Sequence, residues 1–226
     1  MNLKLEKFNR LLKSKELFEK ALRTTKEEYR PLDPGQYLYN LLLEKRIVLD
    51  IFSDEYLELV YTTLISWNMN ARGAKLSEIG KFKETIRKNR EIITKLESYK
   101  LALIRDKDKE EVISMLRYLF FNLNLTERKS KLVTFSKTLH FLVPELVVPI
   151  DRKYTLDFFY SNRQMPLSKN QLEADKKQFQ IFEELFDKFI ELSKKYELSS
   201  YLDKVWHIVP TKVIDNAIIG FGKGNL

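Results

Sequence analysis

The stretch Phe135-Ser136-Lys137-Thr138-Leu139-His140-Phe141-Leu142, followed by Pro144 and then Val147-Val148-Pro149-Ile150-Asp151, decides how this chain is read. It is apolar enough for a short core helix, yet it holds a lysine in its middle. The two prolines bracket a connection, because proline cannot continue a helix. Asp151 then opens the next helix as an N-cap, where a carboxylate accepts from free backbone N–H groups. A short helix and a turn between Lys137 and Asp151 can return the chain to one shared place. Two readings of the lysine stay open. Beside Leu139 and Phe141 it can lay its stem on apolar surface and put its amine in water. A desolvated amine is instead a nucleophile able to form a Schiff base. Asp151 can be only a cap, or it can also face a cationic, oxocarbenium-like centre.

Helical periodicity extends outward from this stretch in both directions. Leu5, Phe8, Leu12, Phe18 and Leu22 mark one apolar stripe, predicting a first helix of about twenty residues. Tyr29 to Gly35, with two prolines, breaks it. A second helix is predicted from about Gln36 to Ile51, and a third runs from a cap at Ser53 to Trp67. Ser77 is the expected cap of a fourth helix. Further helices cover about Ile92 to Ile104, an apolar segment at Val112 to Phe120, and a segment begun by Thr126 that holds Lys137. Ser168-Lys169-Asn170-Gln171 reads as a capping box for a long helix to about Tyr196. Thr211 is the expected cap of a last helix ended by Gly220. Val147-Val148 is too short to make a strand. The expected fold is all-α, about ten helices in one unit over 1–226, with lobes at 30–130 and at 1–29 plus 131–226.

Composition narrows the chemistry. The 226 residues include no cysteine, which excludes disulfides, thiolate zinc sites, iron–sulfur clusters and cysteine nucleophiles. Two histidines, His140 and His207, leave little for a histidine metal site. His140 reads as a packed histidine and His207, beside Trp206, as structural. Met1 to Glu6 is charged and amphipathic, and no apolar run approaches membrane-spanning length, so a cytoplasmic protein with no membrane partner is expected. Lys plus Arg number 40 against 32 Asp plus Glu, a net +8 that is compatible with a polyanionic partner and equally with solubility.

Two clusters suit nucleic acid. Trp67, Asn68, Asn70 and Arg72 stand together at a predicted helix end, where an aromatic, two amides and a guanidinium can wedge into a duplex and contact phosphates. Arg128, Lys129 and Lys131 stand against a single acid, Glu127. Each cluster also reads as an ordinary helix end or a solvated face. An apolar face from Met115 to Phe121 could equally serve a protein partner.

Two separated motifs resemble the helix-hairpin-helix base-excision DNA glycosylases. Ile65-Ser66-Trp67-Asn68 is similar to the Leu-Ser-x-Gln sequence that closes a helix of that family's core. Asn68 stands where the family often has a glutamine that fills the gap left by a flipped base. Phe135-Ser136-Lys137-Thr138-Leu139 and Pro149-Ile150-Asp151 resemble the family's Gly-x-Lys-Thr-Ala hairpin helix and its Pro-Val-Asp. The resemblance implies a two-lobed helical fold, DNA (with RNA as the alternative) as partner, Lys137 as a Schiff-base nucleophile and Asp151 as its assistant, a chemistry that needs neither metal nor organic cofactor. The sequence departs from the family at the hairpin, where Val133-Thr134-Phe135 stands in place of two glycines. Those glycines let backbone N–H groups approach phosphate closely. A non-catalytic nucleic-acid-binding module on the same scaffold is the alternative.

Overall fold

The structure is a computed structural model that describes residues 2–70, 75–224 and 226. Among the described residues the fold is all-α, with eleven α-helices. They are α1 (Glu6–Lys13), α2 (Lys15–Glu28), α3 (Pro34–Lys45), α4 (Asp54–Ser66), α5 (Ile79–Lys88), α6 (Arg90–Glu97), α7 (Asp106–Asn122), α8 (Leu132–Leu142), α9 (Asp157–Tyr160), α10 (Gln171–Lys195) and α11 (Pro210–Lys223). Among the described residues the one β feature is an isolated bridge between Leu76 and Thr126.

Local chemistry sets most helix ends. Ser53 accepts from the Tyr56 N–H at 3.2 Å and so opens α4, with Asp54 and Glu55 in its first turn. Asn170 opens α10 by accepting from Leu172 N–H at 3.0 Å, while Ser168 reaches forward to Glu173. Several expectations are corrected. The predicted first helix is two, because Ser14 is extended and its hydroxyl caps α2 at Leu17 N–H, 3.1 Å. The second helix stops at Lys45. Ser77 does not cap α5; it donates to Asn124 O at 2.6 Å, and the Glu78 carboxylate takes the cap by accepting from the N–H groups of Gly80 and Lys81. Pro210 is the first residue of α11, where its missing N–H costs nothing, so Thr211 lies inside the helix.

α8 is the axis of the molecule. All eleven of its residues are buried, including Ser136, Lys137, Thr138 and His140. It packs on α4 and α10, while α3 lies on α4, α2 on α11, and α10 reaches both α7 and α11. The helices from α3 to α7 thus meet those from both chain ends across α8.

The closest crossing joins α2 and α11. At Gly220 an added Cβ would lie 1.8 Å from Ala21 O and 2.5 Å from Thr25 Oγ1, so only glycine fits. Gly220 is therefore a contact inside α11 and not its end. Thr25 donates to Asn216 O at 2.6 Å beside it. A Cβ at Gly222, two residues on, would meet only the Tyr154 ring at 3.6 Å. Gly220→Ala is expected to destabilise the protein by about 3 kcal/mol or more, because backbone cannot yield as a side chain does. Gly222→Ala is expected to be neutral or stabilising by about 0.5–1 kcal/mol. Urea denaturation midpoints of the two variants check this, and similar midpoints would count against the crossing.

Candidate functional site

Ser136 fixes the geometry of the site. Its hydroxyl accepts from Ile150 N–H at 3.0 Å and donates to Val133 O, tying the Pro149-Ile150-Asp151 segment against α8. This brings Asp151 beside the neighbouring residue, Lys137. Asp151 Oδ1 accepts from the N–H groups of Lys153 (2.7 Å) and Tyr154 (3.2 Å), and its own N–H donates to Thr155 Oγ1 at 2.9 Å. The carboxylate therefore caps a single π turn, Arg152–Leu156. Its second oxygen, Oδ2, stands 3.4 Å from Lys137 Nζ. Capping and pairing use different oxygens, so the cap leaves Oδ2 turned to the lysine. Lys137 does not snorkel to solvent. It is 6% exposed, and its amine also lies 5.4 Å from the centre of the Trp67 ring. A separation of 3.4 Å is long for a charge-assisted hydrogen bond, so the pair is adjacent rather than clamped.

Both groups open on a cavity of about 370 Å³ lined from both halves of the molecule. Trp67 forms one wall. Its indole N–H donates to Gly35 O at 3.0 Å, and Phe141 packs edge-on to it. Asn68 follows with a left-handed backbone, φ 61°. The Asn68 N–H bonds to Ile65 O and the Met69 N–H to Leu64 O, which makes a Schellman ending in which asparagine tolerates the left-handed position. Trp206 lines the same cavity from a loop held by Asp203. Asp203 Oδ1 accepts from the consecutive N–H groups of Val205, Trp206 and His207 at 2.9, 2.6 and 3.1 Å. Gln36 then donates to Val205 O at 2.6 Å, and Asn216 to Trp206 O at 2.7 Å. Burial works to raise the Asp203 carboxyl, but Lys26 and these N–H groups outweigh it and hold it well below the usual range.

A second lysine–aspartate pair enters from α11. Lys212 and Asp215 are 6% and 4% exposed, 2.5 Å apart at Nζ and Oδ2, and both line the cavity. The Lys212 amine lies 5.0 Å from the centre of the Trp67 ring and 5.6 Å from that of Tyr39. Burial pushes the Asp215 carboxyl up in spite of the cation beside it. Tyr29 and Tyr154 complete the mouth. Burial, and then the Tyr154 hydroxyl, push the Tyr29 phenol up, so it stays a neutral donor. The sequence reading missed this second pair, and a signal was there. Lys212, Asp215 and Asn216 interrupt a helix otherwise made of Val213, Ile214, Ala217 and Ile218. Charges placed among core residues need a partner or a cavity.

The other expected site residues are dispersed. Trp67 and Asn68 line the cavity, whereas Asn70 is exposed outside it and Arg72 lies outside the described residues. Arg128, Lys129 and Lys131 sit in the turn before α8, away from the cavity. Lys131 is bonded to Asp175 at 2.6 Å, and Lys129 reaches Ser168 O and Lys169 O. The N–H groups of Lys131 and Leu132 donate to Gln178 Oε1 at 2.8 and 3.1 Å. A glutamine side chain thus takes the two backbone donors that immediately precede Val133-Thr134-Phe135. Among the described residues no group of histidines and carboxylates is arranged to hold a metal, and no helix is long and apolar enough to cross a membrane. Comparison with family models, curated proteins and solved structures found no match.

Both histidines are structural. His140 Nδ1–H donates to Val147 O at 2.7 Å, so Nε2 is left to accept from the Tyr39 hydroxyl at 2.8 Å. Burial, with the Lys212 charge adding to it, lowers His140 to about 3. Burial likewise lowers His207 to about 4. In the unfolded chain both titrate near 6.5. The unfolded state then binds more protons as pH falls below 6.5, so the stabilisation is full above that pH and is lost toward pH 4 to 3. Each histidine contributes a slope approaching about 1.4 kcal/mol per pH unit in that window. Urea midpoints are expected to fall between pH 7 and 5 while neither imidazole titrates by NMR in the native protein. A native midpoint near 6.5 for either ring would contradict its buried, neutral placement.

Proposed function

We propose that this protein is a DNA glycosylase with lyase activity, acting on a nucleotide extruded into the cavity. The observation that carries this reading is the Lys137 amine 3.4 Å from the Asp151 carboxylate, opening on an aromatic-walled space of about 370 Å³. Enzymes that act on a base within a duplex must take it out of the stack into such a pocket. Trp67, Trp206, Tyr29 and Tyr154 offer faces and edges for a planar ring. Gln36 and Asn216 spend their amide N–H₂ groups on backbone carbonyls, which turns their oxygens to acceptor duty.

The chemistry balances with these groups alone. The Lys137 ammonium gives a proton to the departing base, and the base leaves with the electron pair of the C1′–N bond. The Asp151 carboxylate faces the oxocarbenium-like carbon that results. The freed amine adds to C1′, and its nitrogen passes a proton to the ring oxygen as the ring opens to a protonated Schiff base. Lys212, whose amine lies against the same Trp67 ring as that of Lys137, and Asp215 balance each other and supply polar contacts to the bound base.

A second reading is a nucleic-acid-binding module without chemistry. The burial and ion pairing of Lys137 favour it to the extent that a structural lysine would show both. Borohydride separates the two, because it reduces a Schiff base to a stable amine. Wild-type protein is expected to be trapped on duplex DNA containing an abasic site. Lys137→Gln is expected to abolish trapping while DNA binding persists, and Asp151→Asn, which keeps the cap oxygen, to slow it about a hundredfold or more. Trapping that survives Lys137→Gln, or none with the wild type on abasic or base-damaged duplexes, would remove the catalytic reading.

A further inference from the structure

Beside the cavity lies a second cleft, of about 240 Å³, lined by Lys7, Lys153, Arg163 and Lys223 around Tyr154 and Gly222. The two spaces share Tyr154 as a common wall. Phe158 and Phe221, packed edge to face, also line the cleft. At Gly222 no side chain covers the backbone, and the nearest neighbour in that direction is the Tyr154 ring. Two carboxylates offset the four cations. Asp157 lies between Lys7 (3.5 Å) and Arg163 (3.1 Å), and Glu28 pairs with Lys223 at 2.6 Å. Lys153 forms no ion pair among the described residues, and its amine lies 5.1 Å from the centre of the Tyr154 ring. The cleft therefore retains excess positive charge in a concave, partly apolar setting, where an anion is held more strongly than on open surface.

We propose that this cleft binds a backbone phosphodiester of the nucleic-acid strand whose nucleotide enters the neighbouring cavity. The proposal rests on the function argued above and names where that strand is held. Two observations favour it. Gln178 takes the backbone N–H groups of Lys131 and Leu132 at the start of α8, so those two donors do not hold the strand and a grip elsewhere is needed. And the cleft is in register with the chemistry, because Lys153 and Tyr154 donate their backbone N–H groups to Asp151 while their side chains line the cleft.

The test is the salt dependence of binding to a duplex carrying a tetrahydrofuran abasic analogue, followed by fluorescence anisotropy. Each lost phosphate contact lowers the slope of log K against log salt by about 0.9. The Lys7→Gln/Lys153→Gln double variant is expected to lower the slope by about one and to weaken binding about tenfold at low salt. Lys176→Gln/Lys177→Gln, on the exposed face of α10, removes the same charge and is expected to leave the slope unchanged. Equal slopes for both variants would overturn the cleft assignment and leave the proposed function standing. If the wild type binds no DNA, the proposed function fails with it. Inorganic phosphate that then shifts the amide resonances of Lys153 to Gly222 would identify a site for a free phosphate, which also overturns the diester assignment.

Discussion

Lys137, Asp151, Lys212 and Asp215 share one partly enclosed space, and the need to compensate their charges organises much of the structure around it. Removing an isolated charge from water is costly, and a buried ion is kept only where a partner or a set of dipoles receives it. Here each cation has its own carboxylate, and Asp151 has in addition two backbone N–H groups. The Trp67 ring sits within 5.4 Å of both amines and adds the attraction of an aromatic face. A helix as fully buried as α8 can hold a lysine only because the chain folds back and supplies Asp151 at the right place.

That return is the work of small bonds, not of large apolar contacts. Ser136 ties Ile150 to α8, and Thr155 satisfies the Asp151 N–H. Gly220 lets α11 approach α2 closely enough to bring Lys212 and Asp215 to the cavity from the other side. Trp206 arrives on a loop whose N–H groups all turn to one oxygen of Asp203. The aromatic walls are thus held by backbone hydrogen bonds, an arrangement that fixes their positions without filling the space between them.

The distribution of positive charge separates this protein from a simple basic face. Much of it is neutralised locally: Lys83 and Arg87 on Asp54, Lys95 on Glu111, Lys131 on Asp175. Pairs of this kind cancel the field that a polyanion would sense, and the exposed ones among them add little stability. The stretch from Lys81 to Lys100, basic in the sequence, is therefore largely paired. The cleft around Lys153 combines uncompensated charge with concavity next to the cavity.

Helix content, the absence of strands among the described residues, the cap at Asp151 and the length of α10 were legible in the sequence, because apolar spacing and capping residues act within a few positions of one another. The nearness of Lys137 and Asp151 was legible as well, since only a short helix and a turn separate them. Lys212, Asp215 and Trp206 were not joined to them by any local pattern, although charges inside an apolar helix marked the first two. Nor did the basic run before α8 show that Asp175 and Gln178, more than forty residues later, would occupy its charge and its N–H groups. Periodicity determined which residues turn inward. Which inward charges meet one another was decided by how α2, α8, α10 and α11 cross, a matter of contacts between residues far apart in the chain.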